Sequence, residues 1–376
     1  MMHQKLHQSL AILFIAALAG VANAQEKAAF LEPFSADEIE AYGIRVSDKP
    51  SRELPGYRPL KRMLVLGTPP AIAAVLREAA PDVEFVAMNG FPESGFPPGQ
   101  YEAVVGGNST RGAFLAAEGA AWIHAYSAGV DKLVAIDWIA KQQPIVTTSS
   151  GTAATAIAEH AITLMMMHAR QTHRFRDSQL ASRWDRGASG NDPWQVGGKT
   201  MLVLGLGSIG TQIAQRADAL GMRVIAVRNS RREGPEYIDY VGLSDEMLGL
   251  AAQADVVVNA LPLTPVTQGV IDRDFFKAMK PTAIIINIGR GGTINTRDLM
   301  DAMNDNEIAG AGLDVTDPEP LPADHPLWSM PDVIITPHVA GRGMSYELRI
   351  RLLIENIRRY QAGEPLLNPI DIEKGY

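Results

Sequence analysis

Short apolar runs alternate with longer amphipathic stretches along most of the chain. In the first half, the runs that predict strands are Met63–Leu66, Val83–Met88, Ala103–Gly106 and Trp122–Tyr126. A second series predicts six further strands, at Met201–Leu204, Val224–Val227, Val256–Asn259, Ala283–Asn287, Ala311–Val315 and Val333–Thr336. Strands that alternate with helical patterns indicate parallel sheets covered by helices on both faces. We therefore predict an α/β protein with two lobes, each built on a doubly wound parallel sheet.

Two long helical patterns connect these lobes. Ala153–Arg170 is apolar and could carry the chain from the first lobe to the second, whereas Tyr346–Ala362 is amphipathic and is expected to pack back on the first. We predict a first domain of residues 61–150 and 342–376, and a second domain of residues 151–341. Residues 25–60 are polar and rich in Pro and Glu, which predicts an N-terminal extension that wraps a surface.

The first 24 residues have the pattern of a secretory signal peptide. Lys5 gives a weakly positive start, Ala11–Ala22 has the length of a signal core, and Ala22-Asn23-Ala24 places small residues before Gln25. The apolar run is shorter than the roughly 20 residues that cross a bilayer. We expect cleavage after Ala24 and a periplasmic or secreted mature protein that is not held in the membrane. The alternatives are an uncleaved anchor, or an over-extended start codon and a cytoplasmic protein.

Composition removes several classes of chemistry. Hydrophobic residues make up 46% and charged residues 20% of the 376, which fits neither disorder nor a coiled coil. The formal net charge of −8 argues against a nucleic-acid partner, because affinity for a polyanion comes from clustered cations. The chain has no cysteine, which excludes disulfides, thiolate metal sites and a cysteine nucleophile. No metal site is predicted.

A glycine motif opens the second lobe. The run Gly205-Leu206-Gly207-Ser208-Ile209-Gly210 fits G-x-G-x-x-G, directly after one predicted strand and before a helical pattern. The first glycine permits a tight turn, the second lets the backbone approach a pyrophosphate, and the third allows close packing of helix on strand. The helix N-terminus offers N–H groups and a positive dipole end to the phosphates. We predict a dinucleotide site here rather than a turn without a ligand, formed by Gly205, Gly207, Ser208, Ile209 and Gly210.

The next strand bears on the choice of cofactor. Met222–Val227 is followed by Arg228-Asn229-Ser230-Arg231-Arg232, and no acid appears until Glu233. An NAD site usually places Asp or Glu at this point to hold the ribose 2′-OH. Three guanidinium groups and a hydroxyl suit a 2′-phosphate instead. We therefore expect NADP(H) to be favoured over NAD(H), unless some of these arginines are only solvated loop charges. The predicted contacts are Arg228, Ser230 and Arg231.

Three motifs follow three later strands. They are Asn287-Ile288-Gly289-Arg290-Gly291, Leu313-Asp314-Val315 with Glu319-Pro320-Leu321, and Thr336-Pro337-His338. Each would lie at the carboxyl edge of the sheet, where ligands bind in such folds. Together with Ala158-Glu159-His160 and Ser127-Ala128-Gly129-Val130-Asp131, they resemble the D-isomer specific 2-hydroxyacid dehydrogenase family. The resemblance begins near Lys61 and implies two Rossmann-like lobes with the active site in the cleft between them.

The resemblance assigns a role to each matching residue. Hydride transfer to a 2-keto acid needs a proton donor, a cation for the carboxylate and a polarised carbonyl. His338 would donate the proton, Glu319 would bind and orient its other ring nitrogen, and Arg290 would hold the carboxylate and the carbonyl oxygen. The backbone N–H groups of Ala128 and Gly129 would complete the carboxylate site. The further cofactor contacts that it implies are Pro262 and Thr267 at the adenosine end, Asp314 at the nicotinamide side, and Ile288.

Two details narrow the expected function within that family. Glu319, where Gln would stand in the formate-oxidising branch, argues against that branch, and the run from Asp314 to Trp328 with the arginine-rich loop is most like glyoxylate/hydroxypyruvate reductases. We expect a homodimeric oxidoreductase that reduces a small 2-keto acid to the D-2-hydroxy acid with NAD(P)H. The alternatives are a non-catalytic NAD(P)-sensing binding protein, and a dehydrogenase of the same fold that acts on an inorganic or one-carbon anion.

Overall fold

The computed structural model describes residues 24–67, 70–88, 99–106, 114, 117–188 and 192–375. The chain divides into two compact units: unit 1 runs to Thr152 and resumes at Ser345, and unit 2 is Ala153–Met344. The sequence predicted these breaks after residues 150 and 341. The predicted signal peptide lies outside the described residues except for Ala24, where the first helix begins.

Strands and helices alternate through both units. The strands are β1 Val46–Pro50, β2 Arg62–Leu66, β3 Glu84–Met88, β4 Ala103–Gly106, β5 Trp122–Ala125, β6 Ile145–Thr148, β7 Thr200–Leu204, β8 Arg223–Arg228, β9 Tyr240–Leu243, β10 Val256–Asn259, β11 Ile284–Asn287, β12 Gly310–Leu313, β13 Val333–Ile335 and β14 Pro365–Leu367. The α-helices are α1 Ala24–Leu31, α2 Ala36–Ala41, α3 Pro70–Ala79, α4 Asp131–Val134, α5 Asp137–Gln142, α6 Ala154–Arg170, α7 Thr172–Leu180, α8 Ser208–Ala219, α9 Met247–Ala251, α10 Arg273–Ala278, α11 Thr296–Asn304 and α12 Tyr346–Ala362.

Unit 1 contains a parallel sheet with the order β3-β2-β4-β5-β6. The sequence predicted the first four of these strands and missed β6, which is short and half polar. An antiparallel pair, β1 with β14, joins the two ends of the chain, with Val46 opposite Leu367. In the segment 25–60, which we predict to be an extension that wraps a surface, Phe30 and Leu60 are buried with Tyr360 in the core of unit 1.

Unit 2 contains a parallel sheet with the order β13-β12-β11-β10-β7-β8-β9. All six predicted strands are present, and the sequence missed β9, which has a Gly and an exposed Tyr. The order reverses between β7 and β10, and ligands bind at such a reversal, outside the carboxyl ends of the strands. The glycine motif follows β7, so it lies at this point.

Both faces of the unit 2 sheet are covered, as the alternation along β7 shows. Met201 and Val203 pack into one core with Ile213 of α8, and Leu202 and Leu204 pack into the other with Phe275 of α10. Strands buried on both faces are expected to be apolar throughout, which is why these runs were recognisable in the sequence. Polar residues are therefore left to the strand ends and the loops that follow them.

Two kinds of feature are absent from the described part of the chain. No helix there has both the length and the hydropathy to cross a membrane. Nor do three or more His, Asp or Glu side chains in those residues come together in a group that could hold a metal ion.

Candidate active site

The turn between β7 and α8 is shaped by the three glycines of the motif. Gly205 has a φ of 94°, and a Cβ there would lie 3.1 Å from the carbonyl oxygen of Ala260. A Cβ on Gly210 would collide with the carbonyl oxygen of Gly205, so α8 rests on β7 only because that position has no side chain. An added Cβ on Gly207 would meet no atom within 4 Å, so the backbone there is open to a pyrophosphate. The first residues of α8 are Ser208 and Ile209.

Of the three arginines at the end of β8 and in the loop after it, two interact with each other and the third pairs with an acid. Burial lowers the pKa of Arg228, and repulsion from Arg231 lowers it further. Arg232 instead places Nη1 2.6 Å from a carboxylate oxygen of Glu246. Ser230 is exposed in the same loop. The cationic surface that the sequence predicted is therefore reduced to Arg228 and Arg231, which repel each other.

The loop after β10 carries Pro262 and Thr267. The Thr267 hydroxyl donates to the carbonyl oxygen of Pro262 at 2.6 Å, and it accepts from the backbone N–H of Thr264 at 2.8 Å. Thr267 thus holds the loop in shape from within. Contact of these two residues with the adenosine end of a cofactor stays a prediction.

Two asparagines end neighbouring strands and shape the loop that carries Arg290. The amide Nδ2 of Asn259 donates to Oδ1 of Asn287 at 2.9 Å. The carbonyl oxygen of Arg290 accepts from Asn287 Nδ2 at 3.1 Å and from the Thr293 hydroxyl at 2.6 Å. Asn259, Asn287 and Thr293 are buried, as is Ile288. A fully bonded buried network of this kind fixes the backbone at Arg290.

Gly291 brings the Arg290 loop against the segment that follows β12. A Cβ at Gly291 would collide with the carbonyl group of Thr316, so the two backbones are in direct contact. Glu319 lies three residues beyond Thr316. The loops that carry Arg290 and Glu319 are therefore packed together, and only glycine permits that approach.

His338 follows β13 and is bonded to Glu319. Its Nδ1 lies 2.7 Å from Glu319 Oε1, and the two side chains are 45% and 37% exposed. His338 has a φ of 53°, in the left-handed region that residues other than glycine rarely adopt. Such a conformation persists only where the surroundings hold it. The structure thus brings together the predicted donor and its predicted partner, with Nε2 on the far side of the ring.

Asp314 forms hydrogen bonds that keep the backbone around His338 in this conformation. It is buried just after β12, and its Oδ1 accepts from the Thr336 hydroxyl at 2.7 Å and from Val339 N–H at 2.9 Å. Its Oδ2 accepts from Ala340 N–H at 3.0 Å. Both carboxylate oxygens therefore bind the segment around His338. The nicotinamide contact expected of Asp314 stays a prediction.

Ala128 and Gly129 lie in unit 1, between β5 and α4. Ala128 is exposed, and the Ser127 hydroxyl donates to the carbonyl oxygen of Gly129 at 2.9 Å. The segment follows the carboxyl end of an inner strand of the sheet, and this fold presents its ligand loops at such ends. Binding of a substrate carboxylate by their N–H groups stays a prediction.

Sequence reasoning missed several side chains that shape the site. They are Asn259, Thr293, Thr336 and His160, of which Thr336 and His160 belong to the motifs named above but were given no role. The sequence could have indicated two of them, because Asn259 and Thr336 are polar residues at the carboxyl end of apolar runs. Buried polar groups need partners, and at that edge the partners are the neighbouring loops. His160 gave no such signal, since it lies within α6.

The sequence of the chain is similar to those of known proteins. The family model for D-isomer specific 2-hydroxyacid dehydrogenase, NAD binding domain, matches residues 162–340. The glyoxylate reductase/hydroxypyruvate reductase of Mus musculus is 34% identical over 238 residues, 62% of this chain and 71% of that protein.

The fold of the chain is also similar to those of solved structures. A D-isomer specific 2-hydroxyacid dehydrogenase from Xanthobacter autotrophicus Py2, in complex with NADPH and MES, has a TM-score of 0.72 at 28% identity, covering 85% of this chain and 100% of that one. The NADPH-dependent glyoxylate/hydroxypyruvate reductase of Sinorhizobium meliloti, in complex with NADP and sulfate, has a TM-score of 0.70 at 25% identity, covering 84% and 100%.

These matches show an oxidoreductase that uses a pyridine nucleotide. The chain belongs to the D-isomer specific 2-hydroxyacid dehydrogenase family. The predicted family and fold class are thereby confirmed.

Proposed function

We propose that the protein reduces a small 2-keto acid of the glyoxylate or hydroxypyruvate type to the D-2-hydroxy acid. The observation that carries the proposal is the 2.7 Å contact between His338 Nδ1 and Glu319 Oε1. The loop that contains Glu319 is also packed against the loop that contains Arg290. Relatives named as glyoxylate and hydroxypyruvate reductases support the substrate class.

The side chains have distinct roles in this proposal. A carboxylate only accepts hydrogen bonds, so Nδ1–H of His338 donates to Glu319 and Nε2 is the nitrogen that gives a proton to the substrate oxygen. Arg290 binds the substrate carboxylate through its planar guanidinium group. The bound nicotinamide supplies the hydride.

The decisive experiment follows NADPH oxidation with glyoxylate, hydroxypyruvate and pyruvate, and determines the configuration of the product. We expect turnover of at least one keto acid and a D product where the product is chiral. Arg290→Ala should raise KM and lower kcat, because a charged hydrogen bond is worth about 1.5–3 kcal/mol. Absence of turnover on all three, or wild-type kinetics for Arg290→Ala, contradicts the proposal.

We propose further that NADP(H) is favoured over NAD(H). Burial lowers the pKa of Arg228, and the charge of Arg231 lowers it further. A 2′-phosphate bound by the two arginines would offset both effects. Arg231→Gln should lower kcat/KM for NADPH by roughly tenfold and leave that for NADH nearly unchanged. Arg232→Gln is the matched control, because Arg232 is paired with Glu246. A wild-type enzyme that uses NADH as well as NADPH would refute the preference.

A homodimer is our proposal for the assembly. Trp184 and Leu180 are large apolar side chains that are 93% and 67% exposed at and beyond the end of α7. Surfaces of this kind are often covered by a partner, and a second copy of the chain is the partner we propose. Sedimentation velocity should give a dimer that Trp184→Asp weakens and Leu248→Asp, a substitution of another exposed residue, does not. A monomer at micromolar concentration contradicts it.

Export with cleavage after Ala24 is likewise our proposal. It is supported by the small residues before Gln25 and the apolar run that precedes them. The N-terminus of the protein purified from its own cells should be Gln25, and the protein should fractionate outside the cytoplasm. A mature chain that retains Met1 or Met2 would refute it.

A further inference from the structure

His160 is a polar side chain on α6 that the proposed reaction does not use. Its Nε2 lies 2.8 Å from the Thr336 hydroxyl oxygen and 3.5 Å from Asp314 Oδ1. The imidazole is largely buried, with 20% of the side chain exposed. It therefore lies behind the segment that carries His338, within reach of the groups that fix that segment.

The direction of the hydrogen bonds can be derived from the groups involved. A hydroxyl has one proton, and that of Thr336 is donated to Asp314 at 2.7 Å. The Thr336 oxygen can then only accept from His160, so Nε2 of His160 carries a hydrogen. The result is a chain in which His160 donates to Thr336 and Thr336 donates to Asp314.

This chain of hydrogen bonds ends on the backbone N–H groups that follow His338, the candidate proton donor. Asp314 accepts from the N–H groups of Val339 and Ala340, and the N–H of His338 donates to the Asp314 carbonyl oxygen at 2.8 Å. These bonds surround a residue held at a φ of 53°. Without them the segment would be free to relax toward common backbone angles and move the imidazole away from Glu319.

We propose that His160 is a positioning residue for the reaction. Through Thr336 and Asp314 it holds residues 336–340 in the conformation that keeps His338 on Glu319, and it does not itself touch the substrate. The inference rests on the proposed function for its kinetic consequence, and on the hydrogen bonds alone for its structural one.

The kinetic test compares substitutions that keep or remove single hydrogen bonds. Thr336→Val keeps the shape of threonine and removes the hydroxyl, whereas Thr336→Ser keeps the hydroxyl. Thr336→Val and His160→Leu should each lower kcat about tenfold to a hundredfold, with KM for the keto acid little changed, because a small misplacement of a reacting group has effects of that size. Thr336→Ser and His160→Gln should restore most of the lost kcat.

A double variant tests whether the two residues act in one chain. His160→Leu combined with Thr336→Val should be no slower than the slower single variant, since the second change removes nothing that is still intact. Thr163→Val is the control, because Thr163 is an exposed residue of the same helix whose hydroxyl bonds the Glu159 carbonyl oxygen. Multiplied effects in the double variant would overturn the inference.

A second readout needs neither cofactor nor substrate. The N–H groups of Val339 and Ala340 should exchange with deuterium faster in Thr336→Val and His160→Leu than in the wild type, and at the wild-type rate in Thr163→Val. Wild-type exchange in the first two variants, or wild-type kcat in them, overturns the inference. If the wild type reduces no 2-keto acid, the proposed function fails and the exchange rates still decide the inference.

Discussion

Each unit has a histidine near the carboxyl end of a strand in a parallel sheet, and the two have opposite surroundings. His124 lies in β5 of unit 1, fully buried, with Nδ1 2.8 Å from the Thr147 hydroxyl and Nε2 3.2 Å from the Ser149 hydroxyl. Burial, with a smaller contribution from the charge of Arg349, lowers the pKa of His124 from its ordinary value of 6.5 to about 3. His338, after β13 of unit 2, is 45% exposed and bonded to Glu319.

The difference shows that hydrogen-bond partners and exposure to solvent determine whether a histidine at a strand end can exchange protons. His124 has two hydroxyl partners and no access to solvent, so it stays neutral and serves the fold. His338 has a carboxylate partner on one nitrogen, and its side chain is nearly half exposed. The residue type is the same and both histidines lie near the carboxyl end of a strand, so the bonding partners and the burial decide the role.

The largest expected effect comes from removing the exposed histidine. His338→Ala should lower kcat roughly 10²- to 10⁴-fold, the range for loss of a general acid. The melting temperature should hardly change, because the side chain is half exposed. His325→Ala, which removes another partly exposed imidazole of unit 2, should retain activity. Activity close to wild type in His338→Ala would show that His338 is not the proton donor and does not differ from His124 in this respect.

The buried histidine should instead appear in the pH dependence of stability. The unfolded chain protonates His124 near 6.5, whereas the folded chain does so only near 3. The unfolded state therefore binds more protons in this window, and stability falls as pH drops from about 6.5 toward 3. His124 alone should reduce the free energy of unfolding by about 2 kcal/mol between pH 7 and 5.

Urea unfolding at both pH values, with β5 peptides followed by deuterium exchange, measures this effect in unit 1. His124→Gln should have a lower free energy of unfolding at pH 7 and a smaller loss on going to pH 5. An equal loss in the wild type and the variant would show that His124 titrates normally.

The smallest of the three effects tests the carboxylate partner. Glu319→Gln keeps an acceptor for Nδ1–H of His338 and removes the charge, so kcat should fall roughly tenfold, the difference between a charged and a neutral hydrogen bond. The matched change in unit 1 is Thr147→Val, which should lower the melting temperature and leave kcat unchanged. A Glu319→Gln variant as active as the wild type would show that the charge is dispensable.

Sequence patterns predicted the elements that are determined by residues close together in the sequence. The apolar strands could be recognised because they are buried on both faces, and the glycine motif because its turn places a different steric demand on each glycine. The partner of Arg232 could not be predicted, since Glu246 lies in the next βα connection. Nor could the hydrogen bonds of Asp314, which depend on how the loop after β13 folds back on β12.

The pairing of β1 with β14 has a consequence for the order in which the chain acquires its structure. The core of unit 1 contains Phe30 from the start of the chain and Ile350, Tyr360 and Leu366 from its far end. Ribosomes deliver a polypeptide from its N-terminus, and domains fold as their residues become available. Unit 2 is one continuous segment, so it can complete its core first, while unit 1 must wait for α12 and β14.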